Sequence, residues 1–143
     1  MTVKSIIQRA KDYYFNQWRG HEKTSPAFRE KVYVTKLGWK HIAKHPRRLL
    51  VDKLIRLKHL SLARQVLETA NTFQTTHQRG QYWYYGFRVV VDDRVVKIVV
   101  TSKGKRGRKI LYSVMFKSLK KSQQKTLERH NQKLTTQFRK GRK

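Results

Sequence analysis

His41 and His45, four residues apart in the stretch Trp39–Pro46, are the first side chains whose type and spacing suggest chemistry. A separation of four sets both imidazoles on one face of a helix. An imidazole titrates near neutral pH and can give or take a proton, so the pair reads as acid–base machinery acting on RNA. The structural alternative packs one ring beside Trp39 and leaves the other in solvent. The same spacing can serve a metal, but Lys40, Ala43 and Lys44 add no carboxylate and the chain has no cysteine, so no metal site is expected. The charges of Lys40 and Lys44 are expected to lower an imidazole pKa, and a bound phosphate would raise it again.

Three further groups follow. In Gln81–Arg88 a period of two puts Trp83, Tyr85, Phe87 and Val89 on one face, expected to be core, and Tyr82, Tyr84, Arg88 and Val90 on the other. There Tyr84 is placed to stack a base and Arg88 to hold a phosphate. Lys97 interrupts the apolar run Val95–Val100 and shares a face with Val99 and Thr101; it either neutralises a pentacovalent phosphate or guards a sheet edge against aggregation. Ser113 sits among apolar neighbours, its hydroxyl aimed at a cleft or bonded to backbone. Phosphate contacts without sequence readout are expected from Lys40, Lys44, Arg47 and Arg48, from the basic turn holding Lys103, Lys105, Arg106, Arg108 and Lys109, and from Lys120 and Lys121. No phosphate-binding loop of the Walker type is present, and the adjacent Asp92 and Asp93 are poorly spaced for two-metal hydrolysis. Any cleavage of nucleic acid is therefore expected to be independent of metal, and no cofactor is implied.

Charge sets the partner. Lys and Arg number 35 against 8 Asp and Glu, a formal net charge of +27 over 143 residues. Such a chain repels itself unless a polyanion screens it, and nucleic acid is the usual source of that screening. Hydrophobic residues at 38% support a modest core and argue against a wholly disordered polycation. No apolar run reaches the roughly 18–20 residues of a membrane helix, and the N-terminus lacks the pattern of a secretion signal. The chain reads as a cytoplasmic protein, or as a module delivered into a target cytoplasm.

The elements that must position these residues are legible as periodicities. Ile6, Ile7, Ala10, Tyr13 and Tyr14 suggest a helix in an N-terminal extension over 1–30, with Gly20–Pro26 as a linker. A body over 31–116 begins with a strand at KVYVTK, then helices over about 36–45, 47–59 and from 61, with Thr35 and Ser61 as caps and Pro46 as interruption. Strands are expected at about 72–77, 81–91, 94–102 and 110–117, with turns at Arg79–Gly80 and Asp92–Asp93. The expected architecture is α+β: N-terminal helices packed on a four-stranded antiparallel sheet. Residues 117–143 form a basic C-terminal helix or tail.

This order of elements resembles the metal-independent ribonuclease toxins of the barnase–EndoU–colicin E5/D–RelE group. It is closest to the phage and mobile-element branch, with a strand, a Trp-x-His-Ile-x-x-x-His-Pro helix and a meander ending in a Thr/Ser strand. Trp39, His41, Ile42, His45 and Pro46 match the helix motif, and Ser113 falls on the last strand. The branch commonly has an acidic residue after His-Pro, where this chain has Arg47. The resemblance implies attack of a ribose 2′-hydroxyl on the adjacent phosphate, giving a 2′,3′-cyclic phosphate and a free 5′-hydroxyl, with structured RNA such as tRNA as substrate and an acidic immunity protein or antitoxin as partner. It implies His41 or His45 as acid or base, Lys97 or Arg88 as phosphate stabiliser, Ser113 or Thr101 as positioner, and Tyr84 as stacking or relay group. The competing expectation is a non-catalytic RNA- or DNA-binding protein, such as a ribonucleoprotein subunit or a mobile-element accessory factor.

Overall fold

The computed structural model describes residues 2–118, so Lys120, Lys121 and nearly all of the segment 117–143 lie outside the described residues. The chain opens with α1 (Val3–Asp12), which runs without a break into a π-helical stretch, Tyr13–Trp18. Ile6, Ala10, Tyr14 and Trp18, each four residues apart, are all buried. In an α-helix a four-residue step overshoots one turn, so such a stripe drifts round the axis. The wider π-turns reverse that drift and keep Tyr14 and Trp18 on the inner side.

Then follow β1 (Thr24–Ser25), β2 (Glu30–Tyr33), α2 (Lys36–Ala43), α3 (Leu50–Lys58) and α4 (Leu60–Thr69). The second half is β3 (Thr75–Arg79), β4 (Tyr82–Val91), β5 (Arg94–Lys103) and β6 (Lys109–Ser118). The fold is α+β, and β3 to β6 form the expected antiparallel meander. The sheet itself differs from the expected four antiparallel strands: it has six, in the order β1-β2-β6-β5-β4-β3, and is mixed. β2 runs parallel to β6 through Val32–Lys109 and Tyr33–Ile110, and β1 adds an antiparallel strand outside it. Alternation in KVYVTK announces a strand, but nothing local names its partner, and a parallel partner always lies across a long connection.

One face of the sheet carries the core. Tyr85, Phe87, Val89, Val96, Ile98, Val100, Leu111 and Val114 meet Ala63, Val66 and Leu67 of α4, Ile42 of α2, and Tyr14 and Trp18. Residues 1–30 therefore fold onto the body. The stretch read as a linker contains β1 and the buried Glu22, whose carboxylate accepts from the backbone N–H of Gly20 at 2.8 Å and of Val34 at 3.1 Å. The Tyr14 hydroxyl donates to the Thr35 carbonyl at 2.6 Å and accepts from its N–H at 3.1 Å; burial pushes this phenol well above its usual pKa.

Helix ends differ from the expected ones in small, explicable ways. α2 stops at Ala43 and α3 starts at Leu50, because Pro46 disfavours helical geometry at the residue before it. Thr35 stands at the N-cap of α2 but makes no side-chain cap bond. Ser61 is not a cap: it lies inside the first turn of α4, which the chain enters from His59. Among the described residues no helix is long and apolar enough to cross a membrane.

Candidate functional site

The face opposite the core is built from the other half of each strand's alternation. Cross-strand register sets Thr75, His77 and Arg79 of β3 beside Gly86, Tyr84 and Tyr82 of β4. Those lie beside Val99, Thr101 and Lys103 of β5, with Arg88 opposite Lys97. On β6, Ser113 pairs with Val99 while Leu111 pairs with Val100, so Tyr112 is an inserted residue in a β-bulge. A bulge re-aims side chains, and this one turns Tyr112 to the same side as Ser113, toward Tyr84.

α2 lies along the edge of β6 beyond the short β2 pairing. Gly38 permits the approach, since a Cβ there would stand 2.5 Å from the Leu111 carbonyl oxygen and 2.6 Å from the Tyr14 hydroxyl. From this edge His41 reaches over the sheet and stacks on Tyr112, centroids 4.2 Å apart at 31°. Tyr112 meets Tyr84 at 5.4 Å, Tyr84 meets His77 at 5.8 Å, and the Arg79 guanidinium sits 5.9 Å over the Tyr84 ring. His77, Arg79, Tyr84, Gly86, Val99 and Tyr112, with Thr75, line a hollow of ≈ 270 Å³. Gly86 forms part of its floor, where a Cβ would lie 2.2 Å from the Thr75 hydroxyl oxygen.

An ionic clasp fixes the helix end that carries His41. Arg48 donates to the carbonyls of His41 at 2.7 Å and Ile42 at 3.3 Å, and its Nε lies 3.4 Å from Asp52. Asp52 also binds Arg56 through both carboxylate oxygens, at 3.3 and 3.2 Å. Buried Arg56 donates to the Val114 carbonyl at 2.6 Å and to the Ser113 hydroxyl at 3.5 Å. The clasp thus ties α2, α3 and β6 together beneath the imidazole.

The electrostatics of His41 follow. Burial lowers its pKa from 6.5 to about 4, and Arg48, His45 and Arg56 push in the same direction. Lys40 and Lys44, expected to exert this effect, are not its source; both point to solvent. The ring is neutral at pH 7, and its Nδ1 is buried without a hydrogen-bond partner.

The residues singled out by sequence fall into two groups. His41, Tyr84, Arg88, Lys97 and Ser113 lie on or over this one face. His45 touches His41 at 5.3 Å but is a step removed from the sheet, its Nδ1 accepting weakly from the Arg47 N–H at 3.4 Å. Thr101 shares the face, yet its hydroxyl is committed to the Trp83 carbonyl at 3.0 Å. Arg48 serves the clasp. Lys109, expected at a phosphate, is buried, donating to the carbonyls of Lys105 and Gly107 at 2.9 Å each and lying 3.5 Å from Glu30; it braces the basic turn from inside. Lys40, Lys44, Arg47, Lys103 and Arg106 are exposed, while Lys105 covers Trp83 at 4.7 Å and Arg108 covers Tyr33 at 4.6 Å. Lys97 is no edge lysine: β5 is paired on both sides.

Arg56, Tyr112, His77 and Arg79 were missed. His77 and Arg79 alternate on β3, whose expected span of 72–77 stopped short of Arg79. Gly86 was a usable signal, because a glycine inside an aromatic strand marks a place where something approaches the backbone. No protein-family model, no curated protein and no solved structure matches the chain.

Proposed function

We propose that this protein is a metal-independent endoribonuclease of the toxin or effector type, cutting structured RNA such as tRNA. The observation that supports the reading is a row of rings on one sheet face, His41–Tyr112–Tyr84–His77 with the Arg79 guanidinium over Tyr84, of which Tyr112, Tyr84, His77 and Arg79 line the hollow. The likeness to the barnase–EndoU–colicin E5/D–RelE group supports the same chemistry. A base stacks against Tyr84 or Tyr112, which sets its ribose and 3′-phosphate between the histidines. The neutral His41 ring takes the 2′-hydroxyl proton as O2′ attacks phosphorus. The bond from phosphorus to O5′ breaks, and His77 in its protonated form gives its proton to the departing oxygen. The fields of Arg79 and Arg56 stabilise the dianionic phosphorane, and Ser113, held by Arg56, orients the phosphate. A phosphate beside His41 also offsets the repulsion from Arg48 and Arg56, strengthening the ring as a base. An acidic immunity protein or antitoxin would cover so basic a surface.

Total RNA incubated with the full chain in EDTA tests the reading. Fragments ending in 2′,3′-cyclic phosphate are expected, and His41→Asn or His77→Asn should slow their release by about 10²–10⁴-fold with RNA affinity retained. Intact RNA at micromolar protein overturns it. One observation favours the non-catalytic binder instead: burial makes His41 a poor base before substrate arrives. Tight, salt-sensitive binding without fragments is the outcome that reading requires.

A further inference from the structure

Beyond the hollow, the same sheet face carries a second cluster of charge. Arg88 of β4 stands directly opposite Lys97 of β5. Lys97 pairs with Met115 of β6 and Lys117 with Val95, so Lys117 is the diagonal neighbour of Lys97. Like charges directly opposite on adjacent strands destabilise a sheet. Among the described residues no Asp or Glu stands beside them in the register, which brings Thr, His, Arg, Tyr, Gly, Val, Lys, Ile, Ser and Met onto this face. Asp52, Glu68 and Glu30 hold Arg48, Arg56, Arg64 and Lys109 elsewhere in the molecule.

We propose that Arg88, Lys97 and Lys117 form a subsite for a non-scissile phosphate of a polynucleotide, next to the hollow, so that the preferred ligand spans at least two phosphates. Placement supports this. Arg88 and Lys97 lie two residues along their strands from Gly86 and Val99, which line the hollow. Two strand residues span about 7 Å, on the order of one nucleotide step along an extended strand. The aromatic lining of the adjacent hollow selects a nucleotide chain over a bare anion. Burial and the neighbouring Arg88 and Lys117 charges depress the Lys97 pKa, the penalty expected of a cation awaiting its counter-charge. The subsite rests on the ribonuclease reading only for its term non-scissile; phosphate binding itself needs no chemistry.

The test uses ligands that cannot be cut. Binding of a 2′-O-methyl oligoribonucleotide and of a 2′-O-methyl nucleoside 3′-monophosphate is measured across a salt series, for the full-length chain and for Arg88→Gln/Lys97→Gln. Expected is a loss of at least tenfold in oligonucleotide affinity, a log–log salt slope shallower by about 0.7, and unchanged mononucleotide affinity. Equal loss for both ligands, or loss for neither, overturns the subsite. A second measurement covers folding: without ligand, Lys97→Met should melt higher than the parent, and a lower melting temperature also overturns the proposal. Oligonucleotide binding of the expected kind by a protein that leaves unmodified RNA intact would uphold the subsite while removing the ribonuclease.

Discussion

At the residue scale, His41 links stability to pH. Its pKa is 6.5 when unfolded and about 4 when folded. Between those values the unfolded chain binds the extra proton, so stability rises with pH there. The contribution is complete above about pH 6.5 and is lost as pH falls toward 4. Because the ring is partly solvated, the effect is discounted to roughly 1 kcal/mol. Urea midpoints of wild type and His41→Phe, measured from pH 7 to pH 4, should separate on acidification, wild type falling further, since Phe keeps the stack on Tyr112 and removes the titration. Parallel curves would show that the imidazole is not held neutral by the fold. The sequence made His41 legible through its spacing from His45 and its lysine neighbours, but placed the source of its pKa wrongly. The main source is burial, and the arginines that add to it, Arg48 and Arg56, act through a clasp that closes only when α3 packs on β6. Tyr112 was illegible for a related reason: its aim depends on a bulge, and a one-residue insertion shifts which face a side chain occupies.

At the element scale, alternation located the meander to within a few residues because each strand's core face is apolar and the period of two is short-range information. The same alternation put Tyr85 and Phe87, which are core, and the partly buried Trp83 on the face opposite Tyr84 and Arg88. What it could not encode is which strand pairs with β2, a matter of tertiary packing. Nor did hydrophobic spacing reveal the π-turns of the first helix, which follow from where Tyr14 must reach Thr35. The contact of α2 with β6 is the tightest element-level constraint on the site. Gly38→Ala would drive a methyl group into the Leu111 carbonyl oxygen and the Tyr14 hydroxyl, which lie 2.5 and 2.6 Å from where its Cβ would stand. Overpacking of this kind costs about 1–3 kcal/mol. Chemical denaturation should report that loss, together with weakened RNA binding under the proposed function as His41 shifts off Tyr112. A neutral outcome would mean that α2 slides freely along the sheet edge.

At the scale of the whole molecule, the excess of positive charge governs behaviour in ways the sequence already announced. Self-repulsion should make the melting temperature rise with phosphate or sulfate at constant pH, more steeply than with chloride of equal ionic strength, because bound anions neutralise clusters such as Arg88–Lys97–Lys117 while bulk salt only screens them. Differential scanning calorimetry across the three salts decides it; identical curves would reduce the effect to general screening. The pairing of β2 with β6 carries a consequence for synthesis. Three helices and three strands separate the two partners along the chain, giving this contact a high sequence separation and a correspondingly late closure. On the ribosome β2 must wait, unpaired on that side, until nearly the whole described chain has emerged. Tyr112 comes from the same last strand, so the hollow it lines is completed only then, and a nascent polypeptide that lacks β6 cannot yet present it.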